Sequence, residues 1–226
     1  MTYQWLLFDA DNTLFDFNLA EVKALENTFA DFSYSYNGTT GDKYRAINKL
    51  IWEQFEKGEI TAADLRTTRF LRLFEAVGIE AKPEPFSENY LRHLANCGDL
   101  IDGAEALITQ LSQNYQLALI TNGLADVQRP RLAASPLKPF FETVTISDEI
   151  GIAKPDPGIF DVAFGQMGYP QKTAVLIIGD SLSSDMQGGL NYGIDTCWYN
   201  PNGKATVLPV TYNIQKLSDL LTILNG

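Results

Sequence analysis

The chain opens on a short apolar run, Trp5-Leu6-Leu7-Phe8, which ends in Asp9 and passes into turn-forming Asp11-Asn12-Thr13. A run of this kind predicts a buried strand that carries acids at its C-terminal end. From about Leu19 to Asn96 the apolar positions recur at threes and fours. Leu19, Val22, Leu25 and Phe29 form one stripe, and Tyr44, Ile47, Ile51 and Phe55 a second. Phe70, Leu73, Phe74 and Val77 form a third, and Phe86, Tyr90, Leu91 and Leu94 a fourth. This is the period of amphipathic helices, and Thr61-Ala62-Ala63-Asp64 has the form of a capping box opening the third. The block reads as a small helical bundle.

Beyond about Leu100 the pattern alternates. Apolar runs at Gln116–Thr121, Thr143–Ile146, Ala174–Gly179 and Ile194–Tyr199 predict buried strands. Helical stretches lie between them at Ala104–Gln113, Asp126–Ala134, Ile159–Met167 and Asp185–Tyr192, the last closed by Gly193. Continuous apolar strands alternating with helices imply a parallel sheet covered on both faces. Trp5–Phe8 is too short to stand alone and must join that sheet. The expected fold is α/β, a Rossmann-like parallel core built from residues 1–16 and 99–226, with an all-helical domain, 17–98, inserted after the first strand.

Composition narrows the function. The 226 residues carry 17 Lys+Arg against 28 Asp+Glu, a formal charge of -11. So acidic a chain is a poor binder of nucleic-acid polymers or anionic membranes. The two cysteines, Cys97 and Cys197, form no CxxC, and His93 is the only histidine, which argues against a zinc site. The N-terminal segment lacks a signal-peptide pattern and no apolar run approaches the length of a membrane span, so a cytoplasmic location is expected. No GxxxxGK[ST] phosphate loop is present.

In an open parallel sheet, ligands bind beyond the C-terminal strand ends. Those ends carry Asp9 and Asp11, then Thr121-Asn122-Gly123, then Lys154 after the third run, then Gly179-Asp180 with Asp185 five residues on. Four carboxylates balanced by Lys154 alone would repel a phosphate group, and a divalent cation resolves the conflict. All-oxygen ligands select a hard ion, for which magnesium is the natural choice. A calcium loop starting at Asp9 fails on spacing, with Leu14 at the glycine position and Ala20 at the twelfth.

These segments resemble the four motifs of the haloacid dehalogenase superfamily, Asp9-x-Asp11-x-Thr13, Thr121, Lys154 and Gly179-Asp180-x4-Asp185. The helical insert sits where that superfamily places its C1 cap. More closely, Phe8 to Phe17, Asn48-Lys49-x-x-Trp52 and Gly151-Ile152-Ala153-Lys154-Pro155 resemble bacterial house-cleaning pyrimidine 5′-nucleotidases. The resemblance implies a phosphatase acting on a small phosphate monoester. Asp9 would be the nucleophile and form an aspartyl-phosphate, and Asp11 the acid and base. Magnesium would be held by Asp9, the Asp11 carbonyl and Asp180, with Asp185 holding the metal's waters. Thr121, Asn122 and Lys154 would hold phosphoryl oxygens. Asn48, Trp52 and Arg69 of the insert are candidates for substrate choice, although Trp52 suits core packing equally and Arg69 suits a solvated surface. Hinges are expected near Asp16–Asn18 and Cys97–Asp102, and a monomer or dimer.

Three rivals stay open. A sugar-phosphate phosphatase or phosphomutase would share every core motif. A 2-haloacid dehalogenase would need the nucleophile without the metal, and Asp11, Asp180 and Asp185 argue against it. A phospho-receiver would not place a helical insert after its first strand.

Overall fold

The computed structural model describes residues 3–225. They divide into two compact units. Residues 18–97 together with 126–131 form one, and the remaining described residues form the other.

The second of these units is built on a six-stranded sheet in the order β3-β2-β1-β4-β5-β6. Its strands are β1 (Trp5–Phe8), β2 (Gln116–Thr121), β3 (Phe141–Ile146), β4 (Val175–Gly179), β5 (Asp195–Tyr199) and β6 (Tyr212–Ile214). Every neighbouring pair is parallel. The pleat sorts the side chains into two cores. Leu6, Phe8, Leu117, Leu119, Leu176 and Ile178 face one side, against α5 (Ala104–Leu111) and Leu217 and Leu220. Trp5, Leu7, Ala118, Ile120, Val175 and Ile177 face the other, against Ile159, Phe160, Ala163 and Phe164 of α8 (Pro157–Gln166). Burial on both faces explains why these strands read as unbroken apolar runs.

The α/β parallel fold expected from the sequence is therefore the fold observed, with local corrections. β3 begins at Phe141, two residues before the expected Thr143, and β5 at Asp195 rather than Ile194. The expected helix Asp185–Tyr192 divides into a π turn, Leu182–Met186, and α9 (Gln187–Tyr192), with Gly193 closing it at φ 81. α6 (Ala125–Ala134) and α7 (Ser147–Ile150) complete the helices before α8. β6 and α10 (Asp219–Asn225) lie outside the expected elements.

The helical unit contains α1 (Phe17–Asp31), α2 (Gly38–Glu56), α3 (Ala62–Val77) and α4 (Pro83–Ala95). The Thr61 capping box forms as expected, with Asp64 N–H donating to Thr61 Oγ1 at 3.2 Å and Thr61 N–H to Asp64 Oδ2 at 3.0 Å. Phe29, Phe70, Phe74 and Phe86 pack edge-on as its aromatic centre. The first stripe is right at Leu25 and Phe29 and wrong at its start. Leu19 is exposed, and the buried face of α1 is Ala20, Glu21, Ala24, Leu25, Thr28 and Phe29. Where the chain leaves and re-enters the sheet unit its two connections are tied together, by Asp16 N–H to the Asp99 carbonyl and Ile101 N–H to the Leu14 carbonyl, both 2.9 Å. Among the described residues no helix is long and apolar enough to cross a membrane.

Two glycines let α9 lie flat on the sheet. A Cβ on Gly189 would meet Thr196 Cγ2 at 2.6 Å and Ile177 Cγ2 at 2.7 Å, and one on Gly188 would meet the Phe160 ring at 2.8 Å. Gly189→Ala should therefore cost roughly 1–3 kcal/mol by overpacking. Thermal denaturation should show Tm lower by roughly 2–4 °C per kcal/mol. An unchanged Tm would mean that α9 does not press on the sheet as described.

Candidate active site

β1 sits between β2 and β4, so the ends of three adjacent parallel strands deliver Asp9, Thr121 and Asp180 to one edge of the sheet. This is the topological switch point at which such sheets bind ligands.

Asp9 continues the β1 ladder, its N–H donating to the Ile178 carbonyl at 2.9 Å. The chain then turns sharply. Leu14 and Phe15 N–H both donate to the Ala10 carbonyl at 2.9 Å, and Asn12 takes the left-handed conformation at φ 59, which asparagine tolerates well. The turn brings the Thr13 hydroxyl back to donate to Asp9 Oδ2 at 3.1 Å. Asp11 is half-buried.

Lys154 is 1% exposed, and its ammonium donates to Asp9 Oδ1 at 2.7 Å, Asp185 Oδ1 at 2.6 Å and the Ile120 carbonyl at 3.0 Å. These use all three of its protons. The Lys154–Pro155 peptide is cis. The main chain of Lys154 is bracketed by Asn122: Lys154 N–H donates to Asn122 Oδ1 at 2.7 Å, and Asn122 Nδ2 donates to the Lys154 carbonyl at 2.9 Å. The Asn122 side chain is thus committed to holding Lys154, and its main-chain N–H is the group left for the phosphate contact expected of this residue. Thr121 is buried, and its Oγ1 accepts from Gly123 N–H at 3.1 Å.

At the end of β4 the π turn folds Asp185 back under the strand. Ser181 N–H donates to Asp185 Oδ2 at 3.0 Å, and Ser184 N–H to Ser181 Oγ at 3.2 Å. Gly179 makes this possible, since a Cβ there would collide with the Asp185 carboxylate. Asp185 therefore does more than the sequence indicated, because it grips Lys154 directly. Trp198 Nε1–H donates to the Asp180 carbonyl at 2.9 Å.

One carboxylate oxygen from each of Asp9, Asp180 and Asp185 lies within 4.8 Å of the others. Three carboxylates against one ammonium leave two negative charges, which one divalent cation would neutralise. The strain shows in the acidities. Burial and the neighbouring Asp185 push the Asp9 carboxyl up to about 7, against the opposing pull of Lys154. Burial, then Asp9 and Asp185, push Asp180 well above the usual carboxylate range. Burial works against the Lys154 ammonium, but Asp185 and Asp9 outweigh it and raise its pKa. Closely set, all-oxygen donors with an excess of negative charge suit a hard divalent ion.

The other expected residues lie in the helical unit. Asn48 is buried, its Nδ2 donating to Glu21 Oε2 at 3.2 Å. Arg69 is buried too, contrary to a solvated surface, with Nη1 donating to Asn48 Oδ1 at 3.4 Å. Trp52 is half-buried and packs edge-on to Phe55 with ring centroids 5.6 Å apart.

The profile of the haloacid dehalogenase-like hydrolases matches residues 6–199, from β1 through the end of β5. The chain belongs to that family. As a haloacid dehalogenase-like hydrolase it is 39% identical to the HAD-hydrolase YfnB of Bacillus subtilis, over 99% of this chain and 96% of the relative. It is 38% identical to the pyrimidine 5′-nucleotidase PynA of Streptococcus pneumoniae, over 100% and 96%. It is 33% identical to the pyrimidine 5′-nucleotidase YjjG of Escherichia coli, over 99% of each. The solved magnesium-bound structure of YfnB superposes with a TM-score of 0.95 over 100% of both chains.

The Lys154 contacts make a prediction about this hydrolase. Lys154→Met removes the cation from between two buried carboxylates, which should cost about 3–5 kcal/mol at pH 8. The loss should shrink at pH 5. The Asp9 carboxyl is already raised by burial and loses the opposing pull of Lys154, so at pH 5 the native state holds its proton and much of the uncompensated charge disappears. Denaturant titration at the two pH values reads the difference, and equal losses at both would contradict this electrostatic account.

Proposed function

We propose that this hydrolase is a magnesium-dependent phosphomonoesterase that works through an aspartyl-phosphate on Asp9, with nucleoside 5′-monophosphates as its substrates. The observation that carries the reading is the setting of Asp9. It stands at the end of a central strand, with Lys154 on Oδ1, Thr13 on Oδ2 and two more carboxylates close by.

In this reading an Asp9 oxygen attacks phosphorus and the bond to the ester oxygen breaks. Asp11 gives its proton to the leaving alcohol. Asp11 then takes a proton from water, the water oxygen attacks phosphorus, and the Asp9–phosphorus bond breaks to free inorganic phosphate. Lys154, whose three protons go to Asp9, Asp185 and the Ile120 carbonyl, fixes the Asp9 carboxylate and adds its positive charge beside the phosphoryl group. The Thr121 hydroxyl accepts from Gly123, which leaves its own proton for a phosphoryl oxygen. The Asn122 side chain is engaged elsewhere, so this residue contributes its main-chain N–H. The carboxylates of Asp9 and Asp180 and the Asp11 carbonyl would hold magnesium, and Asp185 its waters, and the ion would supply charge neutralisation and alignment of the phosphoryl group.

The carboxylate cluster favours this over a dehalogenase reading, which leaves Asp180 without work. The pyrimidine 5′-nucleotidase relatives favour nucleotides over sugar phosphates. The helical unit would serve as the cap that selects substrate and excludes water, moving about the tied connections near Asp16 and Asp99.

A phosphate-release screen with magnesium tests the reading. Nucleoside 5′-monophosphates should turn over with higher kcat/KM than hexose phosphates, EDTA should abolish release, and Asp9→Asn should lower kcat at least a thousandfold. Wild-type activity in Asp9→Asn on any phosphate ester would overturn it.

A further inference from the structure

The three clustered carboxylates are not held alike. Asp9 accepts from Lys154 on Oδ1 and from Thr13 on Oδ2. Asp185 accepts from Lys154 on Oδ1 and from Ser181 N–H on Oδ2. Among the described residues no hydrogen bond fixes the half-buried Asp180 carboxylate, whose oxygen nevertheless lies within 4.8 Å of the other two. Like charges so close repel, and a carboxylate with no donor of its own would swing away. Something other than its own side chain must hold Asp180 in place.

β5 supplies it. The register of β4 with β5 runs from Leu176↔Asp195 to Gly179↔Trp198, and Asp180 is the first residue beyond it. Paired residues on neighbouring strands turn their side chains to the same face of a sheet. Trp198 therefore stands on the face where Gly179 leaves room for the Asp185 carboxylate. Its side chain is buried, and an indole has a single hydrogen-bonding group, the Nε1–H. That N–H donates to the Asp180 carbonyl at 2.9 Å, a full-strength N–H···O length.

The carbonyl belongs to the peptide that joins Asp180 to Ser181. The N–H of the same peptide donates to Asp185 Oδ2 at 3.0 Å. One peptide plane is thus pinned at both ends, by Trp198 through its oxygen and by Asp185 through its nitrogen. Asp has only two side-chain torsions, so the setting of this plane decides where the Asp180 carboxylate can reach. A buried ring kept for bulk alone could be Phe, whereas the indole brings a donor aimed at the main chain of a cluster residue.

We propose that Trp198 is a positioning residue for the divalent-cation site, holding the Asp180 peptide so that its carboxylate stays near Asp9 and Asp185 before an ion binds. The assignment rests on the magnesium reading above. Trp198 touches neither the ion nor the ester, so its loss weakens metal binding and leaves the chemistry of the loaded protein intact.

Calorimetric titration of the full chain with magnesium chloride, without substrate, tests this. Trp198→Phe keeps a ring and removes the N–H. Its dissociation constant for magnesium should rise roughly tenfold or more, as when an outer partner of a metal ligand is lost. The magnesium concentration needed for phosphate release should rise in parallel, while kcat at saturating magnesium and KM for the ester recover wild-type values. Trp5→Phe is the control. Trp5 is buried at the start of β1, the end of the strand away from Asp9, so this change should lower Tm and leave the magnesium constant alone. An unchanged magnesium constant in Trp198→Phe, or an equal rise in Trp5→Phe, would overturn the assignment. Should Trp198→Phe fail to fold, the wild type itself decides. Its three indole N–H signals can be labelled with nitrogen-15 and assigned from Trp5→Phe and Trp52→Phe. Magnesium should shift the Trp198 signal most, and a Trp198 signal that stays still would overturn the assignment. A wild type that binds no magnesium would instead overturn the reading of function, a result separate from those of the variants.

Discussion

The Lys154 ammonium, buried among the carboxylates of Asp9 and Asp185 and the carbonyl of Ile120, is the contact on which the arrangement of the site depends. It ties three segments distant in sequence to one point beneath the sheet edge. One positive charge cannot compensate the whole group, so Asp9 and Asp180 remain hard to ionise. That deficit is the physical reason the cluster suits a hard divalent cation. The main chain of Lys154 is in turn set by the Asn122 bracket, so the loop after β2 controls a side chain delivered by the loop after β3.

The sheet supplies the rest. Parallel strands end at one edge, and β1 lies at the switch between β2 and β4, so Asp9 falls in the middle of that edge. Close packing holds the flanks. Gly179 leaves room for the Asp185 carboxylate, and Gly189 lets α9 rest against Ile177 and Thr196. These glycines are there for space rather than for backbone freedom.

Much of this was legible in the sequence, for physical reasons that also explain what was not. β1 and β2 fell within their expected bounds because strands buried on both faces leave unbroken apolar runs. β6 spans only Tyr212–Ile214 with one side chain fully buried, too short and too mixed to register as a strand. The α1 stripe found Leu25 and Phe29 but missed the rest of the buried face, because Ala20, Glu21, Ala24 and Thr28 are small or polar residues that a count of apolar positions passes over. The acids and Lys154 could be placed because strand ends are predictable. The Asn122 bracket could not, since its partner is main chain and leaves no trace in residue type. Arg69 looked equally suited to solvent, and only the packing of Phe70 and Tyr90 around it revealed a buried guanidinium.

The central claim is that Asp9 carries the phosphoryl group during turnover. Acid quench of the magnesium-loaded protein at millisecond times, with a substrate labelled by radioactive phosphorus, tests it most directly. Label should appear on the peptide containing Asp9, be released by hydroxylamine, and disappear as free phosphate forms. Rapid phosphate release with no protein-bound label at any quench time would contradict the account.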